Sequence, residues 1–284
     1  MENNQPLVSV IMNCYNSDKY LREAIDSVLE QTYQNWEIIF WDNQSTDRSA
    51  EIVKSYDDER IKYFYAHEHT LLGEARNLAV EKASGKWIGF LDCDDLWYSN
   101  KLEIQIQNVS NDIGIIYSRM EFLIEETGIQ TNMGKSISKK IYPKRKTLPI
   151  GEIFDKLLFE CFIPLPSVLI RSELFNQVGG IDSSLKVAED YDIFLKIAKI
   201  SKVKAIDNVL CKYRVHENNL SHQNMEKTFE ESIKLVKKYF QVRFAKEAIS
   251  YWNCKKEYYK DSSNILSKLK YVFKVLFNKA RGIL

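Results

Sequence analysis

Lys86-Trp87-Ile88-Gly89-Phe90-Leu91-Asp92-Cys93-Asp94-Asp95 is an apolar run that ends in three carboxylates. Its first half reads as a buried strand. Side chains alternate faces along a strand, so continuation of the strand would send Asp92 and Asp94 to the same side. Two carboxylates at the end of a buried strand are costly unless positive charge sits between them. A hard divalent cation that also touches a phosphate would serve, which makes the run a candidate site for metal and nucleotide diphosphate together. The plainer reading is an acidic turn after a strand, where Asp is common. On these residues alone the two readings stand level.

Working outward, the same strand signal recurs upstream at a regular interval. Leu7 to Met12 is a short β-branched apolar run, Trp36 to Trp41 a second, and Ile61 to Tyr65 a third. Helical patterns fall between them. Tyr20, Leu21, Ala24, Ile25, Val28 and Leu29 follow a polar start, Ala50 to Tyr56 is helical, and Gly73 to Ala83 is expected to end on Gly85 as a C-cap. Strands alternating with helices predict an α/β fold, a mostly parallel sheet with helices on both faces. Beyond residue 100 the pattern loosens. Helices are expected at Leu102–Val109, Gly151–Phe159 and Asp190–Ile200, and strands at Ile113–Phe122, Ser167–Ile170 and Ile206–Tyr213. Residues 126–150 are polar and basic and read as a surface loop rather than an anion-binding lid. From Met225 onward the chain is expected to be helical.

The 284 residues carry 40 Lys and Arg against 39 Asp and Glu, and 45% are hydrophobic. That is ordinary globular composition with a sizeable core. Near-neutral charge argues against a dedicated nucleic-acid binder. Five scattered cysteines, none spaced as CxxC, suit a reducing compartment and give no zinc signature. The first residues lack the features of a signal peptide, and no apolar run approaches the roughly 20 residues of a membrane span. A cytoplasmic protein is expected.

Two more carboxylate sites stand out. Asp42 closes the second strand, and ligands of open α/β sheets bind beyond the carboxyl ends of strands. It is either a ligand group for a ring N–H or sugar hydroxyl, or a turn cap. Glu189-Asp190-Tyr191-Asp192 opens an amphipathic helix. The helix macrodipole explains part of that cluster, and a base set against a substrate hydroxyl would sit there equally well.

Six segments, in order over residues 7 to 221, together resemble glycosyltransferase family 2. They are Val8 to Asn16, the Asp42-Asn43-Gln44-Ser45-Thr46-Asp47 turn, Gly73-Glu74-Ala75-Arg76-Asn77, Gly85 through Asp95, Gly179-Gly180-Ile181-Asp182 with Glu189-Asp190, and Tyr213-Arg214-Val215-His216 with Ser221. The resemblance implies the GT-A fold, a Rossmann-like, mostly parallel mixed sheet flanked by helices, over residues 1–221. Residues 222–284 would form a C-terminal helical extension. It also implies inverting transfer from a nucleotide-diphospho-sugar, a UDP-sugar by preference, to a saccharide or lipid-linked saccharide in bacterial surface polysaccharide synthesis. Asn13, Tyr15, Asp42, Arg76 and Asp92 would bind the nucleotide-sugar. Asp94 and His216 would hold Mn²⁺ or Mg²⁺, with a surface-loop role as the alternative for His216, and Asp190 would be the base. Asn43-Gln44 stand where the family commonly has Asp-Gly, which loosens the expected base preference. A sugar nucleotidyltransferase is disfavoured because the Asn13–Asn16 loop has no Gly, and a non-catalytic scaffold because Asp92, Asp94 and Asp190 are all present. A glycosidase would leave the nucleotide-binding features unexplained. At the far C-terminus, Ile265, Leu269, Val272, Phe273, Leu276 and Ala280 form an apolar stripe flanked by lysines, read as a helix packed on the catalytic domain or lying on an anionic membrane.

Overall fold

The strand from Val8 to Cys14 alternates its faces, and both faces are covered. Val8, Val10 and Met12 enter one core while Ile11 enters the other. Such a strand belongs in the middle of a sheet. The computed structural model, which describes residues 5–124, 141–216, 219 and 224–260, has it there. The elements of the first part are β1 (Val8–Cys14), α1 (Leu21–Leu29), β2 (Trp36–Asp42), α2 (Ser49–Lys54), β3 (Ile61–Tyr65), α3 (Leu72–Val80) and β4 (Trp87–Phe90). They build a parallel sheet in the order β3-β2-β1-β4.

The second part follows with β5 (Leu96–Trp97), α4 (Lys101–Ile106), β6 (Ile113–Ile124), β7 (Ile141–Tyr142) and α5 (Phe154–Leu157). A 3₁₀ turn (Leu165–Ser167), β8 (Leu169–Arg171), α6 (Ser172–Gln177), α7 (Glu189–Ala198) and β9 (Lys202–Val215) come next. Its strands extend the sheet as β4-β8-β6-β9-β5, with β7 on the side of β6. The β4–β8, β8–β6 and β9–β5 pairs are antiparallel, and β6–β9 is parallel. The sheet is therefore parallel through residue 90 and mixed beyond it.

Helices α1, α2 and α4 cover one face. On the other lie α3 and α7, together with α8 (Met225–Lys237) and α9 (Ala245–Lys260). Phe229 and Trp252 of these last two helices are buried in the same core as Ile11 and Phe194, and Trp252 donates its indole N–H to the Leu158 carbonyl at 2.8 Å. Among the described residues no helix is long and apolar enough to cross a membrane. The apolar stripe from Ile265 onward, and most of the basic 126–150 loop, lie outside the described residues.

Several local expectations are revised. Helix α3 ends at Val80 with Glu81 as its C-cap, so Gly85 caps nothing. Gly85 is instead needed for close approach. A Cβ there would lie 2.6 Å from the Ser9 backbone nitrogen and 2.8 Å from the Leu7 carbonyl oxygen, and its own N–H donates to Ser9 Oγ at 2.8 Å. Strand β4 stops at Phe90, so strand alternation does not reach Asp92 and Asp94. The helix expected over Gly151–Phe159 shrinks to Phe154–Leu157, because Gly151 has φ +78° and its N–H and carbonyl both bond Val203. Helix α6 was not anticipated. Gly85→Ala should cost about 1–3 kcal/mol by overpacking against fixed backbone, read as a lower urea midpoint with an unchanged m-value.

Candidate active site

Sheet order reverses between β1 and β4, and a crevice opens at the carboxyl ends of the strands where that happens. The residues singled out from the sequence gather there. Asn13 and Tyr15 leave β1, Asp42 ends β2, and Asp92 to Asp95 follow β4. The β1 and β2 loops are stapled together. Asn16 has φ +51°; its N–H donates to Ser45 Oγ at 3.0 Å and its Oδ1 accepts from the Thr46 N–H at 2.8 Å.

Asp42 is fully buried. One oxygen accepts the Ser45 N–H and the other the Tyr63 hydroxyl, both at 2.7 Å. As it stands, Asp42 holds the turn. The neighbouring Asn43 amide bonds the Thr70 backbone in both directions, at 2.9 and 3.2 Å. Gln44 takes the left-handed φ of +71° that a glycine would adopt freely. Facing solvent, Tyr15 is 53% exposed and its ring centre lies 4.4 Å from that of His69. The Asn43 carbonyl can only accept, so His69 Nδ1, 2.8 Å away, carries the proton. Asn13 Nδ2 is buried without a partner.

Asp92 to Asp95 form a turn closed by the Asp95 N–H on the Asp92 carbonyl. Their side chains go to different partners. Asp92 accepts from Arg76 Nη2 at 2.8 Å, and Asp94 Oδ2 lies 2.9 Å from His216 Nε2. Asp95 accepts the Arg214 N–H at 2.9 Å through one oxygen, while the other is buried and unpartnered. Arg214 also donates to the Asp94 carbonyl at 2.9 Å and pairs with Glu23 at 2.7 Å. Burial, joined by the charge of Asp92, pushes the Asp94 carboxyl up despite its bond to His216. Burial raises Asp95 further, with the charges of Asp94 and Asp92 adding to it. The turn is short of positive charge, and that shortfall suits a cation. The 2.9 Å separation of Asp94 Oδ2 and His216 Nε2 is close to the ~3 Å between adjacent ligands of an octahedral ion with bonds of about 2.1 Å. Among the described residues no three Asp, Glu, His or Cys side chains form a closed cage. One carboxylate and one imidazole with the remaining positions open suit an ion shared with substrate phosphates.

Asp190 lies in the first turn of α7, partly open to solvent, and its Oδ1 accepts the Tyr191 N–H at 2.6 Å. Burial, then the charge of Glu189, raises its pKa to about 7, against the pull of Arg76. Asp192, on the same turn, is buried and points elsewhere. Its Oδ2 pairs with Lys196 at 2.6 Å and accepts the Asp182 N–H at 2.8 Å, while Oδ1 makes no hydrogen bond and faces Lys238 at 3.5 Å. Arg76 joins the two acidic segments. Only 2% exposed, it grips Asp92 with one nitrogen and Glu189 with the other. The functional weight of Glu189, Tyr63, Arg214 and Glu23 was not read from sequence. Glu189 was visible only as the neighbour of Asp190, and Arg214 only as part of the Tyr-Arg-Val-His segment. Removing Arg76 would strand two carboxylates. Arg76→Met should cost about 3–5 kcal/mol at pH 7, measured by urea unfolding.

The model of the glycosyl transferase family 2 domain matches residues 9–162, more than half of the chain. The chain belongs to glycosyl transferase family 2. An uncharacterized glycosyltransferase of Rickettsia typhi, RT0329, is 37% identical over 217 residues, 75% of this chain and 65% of that protein. The chain thus spans a little under two thirds of that relative. The Escherichia coli enzyme WfgD, a UDP-Glc:alpha-D-GlcNAc-diphosphoundecaprenol beta-1,3-glucosyltransferase, is 34% identical over 218 residues, 76% of this chain and 79% of the enzyme. The mannosyltransferase PcManGT of Pyrobaculum calidifontis, solved with GDP-Man and Mn²⁺, superposes with a TM-score of 0.67 at 16% identity, covering 98% of this chain and 76% of that one. The fold is GT-A, and the family domain is a glycosyltransferase domain.

Proposed function

We propose that this family 2 member is an inverting, metal-dependent glycosyltransferase of surface polysaccharide synthesis, working in the cytoplasm. It would move a sugar from a UDP-sugar to a hydroxyl of a saccharide or lipid-linked saccharide. One observation carries the reading. A single buried guanidinium ties the Asp92–Asp95 turn, at the crevice of the parallel sheet, to the helix start that carries a carboxylate with its pKa near 7. Donor chemistry and proton removal are thereby held to one rigid frame. The UDP donor accords with the printed activity of WfgD and the metal with the Mn²⁺ bound to PcManGT.

The residues divide the work by their chemistry. Tyr15, exposed and set against His69, offers a face for the base, and Asn13 brings an unpartnered donor beside it. Asp42 acts at one remove, by fixing the turn after β2 that is stapled to their loop. Asp92, oriented by Arg76, offers its free oxygen to the ribose. Asp94 and His216 would hold Mn²⁺ or Mg²⁺, which when bound supplies Lewis-acid stabilisation of the departing diphosphate. Asp190 accepts the proton of the acceptor hydroxyl as that oxygen attacks the anomeric carbon from the side opposite the leaving group, which inverts the centre.

Asp190→Asn should lower kcat about 10²-fold or more with donor binding little changed. A base of pKa about 7 is charged above that pH, so wild-type kcat/KM should fall as pH drops below about 7. Retention of full activity by the Asn variant would overturn the assignment. Asp94→Ala and His216→Ala should each weaken Mn²⁺ binding, followed by the electron spin resonance of the free ion. Turnover undiminished in EDTA would refute metal dependence.

A further inference from the structure

The segment from Lys186 to Ala188 leads directly into Asp190, and its backbone is gripped by a helix from the far end of the described chain. Glu231 of α8 is 4% exposed. Its Oε2 accepts the N–H groups of Lys186, Val187 and Ala188 at 3.1, 3.0 and 3.2 Å, and Oε1 lies 3.1 Å from the Lys186 nitrogen. Three consecutive N–H groups aimed at one point form a concavity suited to an anion. At the start of α7 the helix dipole adds to that preference. Here the anion is the protein's own carboxylate. The same helix holds the preceding loop as well. Lys234 Nζ reaches Ser184 Oγ at 3.3 Å, and Lys238, in the turn after α8, pairs with Asp182 at 2.7 Å.

We infer that Glu231 is a positioning residue for the acceptor side of the site. By clamping residues 186–188 it fixes the direction in which α7 presents Asp190, without touching substrate. The inference rests on the reading of Asp190 as the base, and extends the catalytic framework to α8, well past the residues matched by the family model. Without the clamp the three N–H groups turn to water. The first turn of α7 then gains freedom where alignment matters most, since a misplacement of about 1 Å can cost about 10²-fold in rate. The proposed donor groups lie past the ends of β1, β4 and β9, outside residues 186–188, so donor affinity should change little.

The test compares Glu231→Ala and Glu231→Gln in the full-length protein. Ala removes the acceptor. Gln retains a carbonyl oxygen that can face the same three N–H groups. Glu231→Ala should speed hydrogen exchange at the amides of 186–188, lower kcat by up to about 10²-fold, and leave the KM for donor within about twofold. Glu231→Gln should restore most of both. Faster exchange with unchanged kcat would overturn the inference, reducing Glu231 to a structural tie. Equal losses in both variants would overturn it too, since they would point to the charge and not to the clamp. Asp190→Asn run in parallel separates the two readings. If that variant stays fully active the base assignment fails, whatever exchange at 186–188 reports about the clamp.

Discussion

A guanidinium held out of water between carboxylates of two distant segments is the constraint on which the site depends. Arg76 comes from α3, Asp92 from the turn after β4, and Glu189 from the start of α7. Arg76 and Glu189 would not be stable as placed without each other, because a buried charge that loses its partner is penalised far more than an exposed one; Asp92, 35% exposed, depends on the pairing less. This ion triad therefore fixes a distance between two loops that apolar packing alone would leave loose. It also acts on the start of α7. Arg76 draws the Asp190 carboxyl down from where burial and Glu189 would put it, leaving its pKa near 7.

Around that centre, functional groups are held by residues that do no chemistry. Asp42 and Tyr63 set the β2 turn, and Asn43 ties it to the loop before α3. Arg214 reaches across from β9 to the backbone of Asp94 and Asp95 while braced by Glu23. Asp42, Asn43 and Arg214 are buried polar groups with partners supplied, and such networks give a site a single geometry where an apolar lining would allow several. Asp95 Oδ2 and Glu189 Oε2 are exceptions, both buried and unpartnered. They sit where carboxylates crowd.

The parallel half of the fold was legible because its strands are buried on both faces, so that each reads as an unbroken apolar run between polar turns. The mixed half was less so. Strands β5 and β7 have only two residues each and leave almost no pattern, while the short β8 overlaps the strand expected at Ser167–Ile170. The placing of Asp42 at a strand end, of Asp92 and Asp94 just past one, and of Asp190 in the first turn of a helix was also legible. Spacing reports none of their partners. Arg76 meets Glu189 across more than a hundred residues, which was not foreseen, and the equally distant meeting of Asp94 with His216 was expected only through the family resemblance. Gly85 was misread because a glycine after a helix resembles a cap. Its actual role, approach to the Ser9 backbone, exists only once β1 is in place.

The order of strands also has a consequence for how the molecule assembles. The β1–β2 and β2–β3 pairs join residues close in sequence, such as Val8 with Trp36 and Ile38 with Ile61, which favours early formation. Pairing of Val8 with Trp87, of Ile113 with Lys202 and of Leu96 with Lys212 closes longer loops. His216 and Arg214 stand at the end of β9, so the partners of Asp94 and Asp95 arrive only with that last closure. The crevice between β1 and β4 can thus form without the second half of the sheet, while the partners of the acidic turn wait for β9.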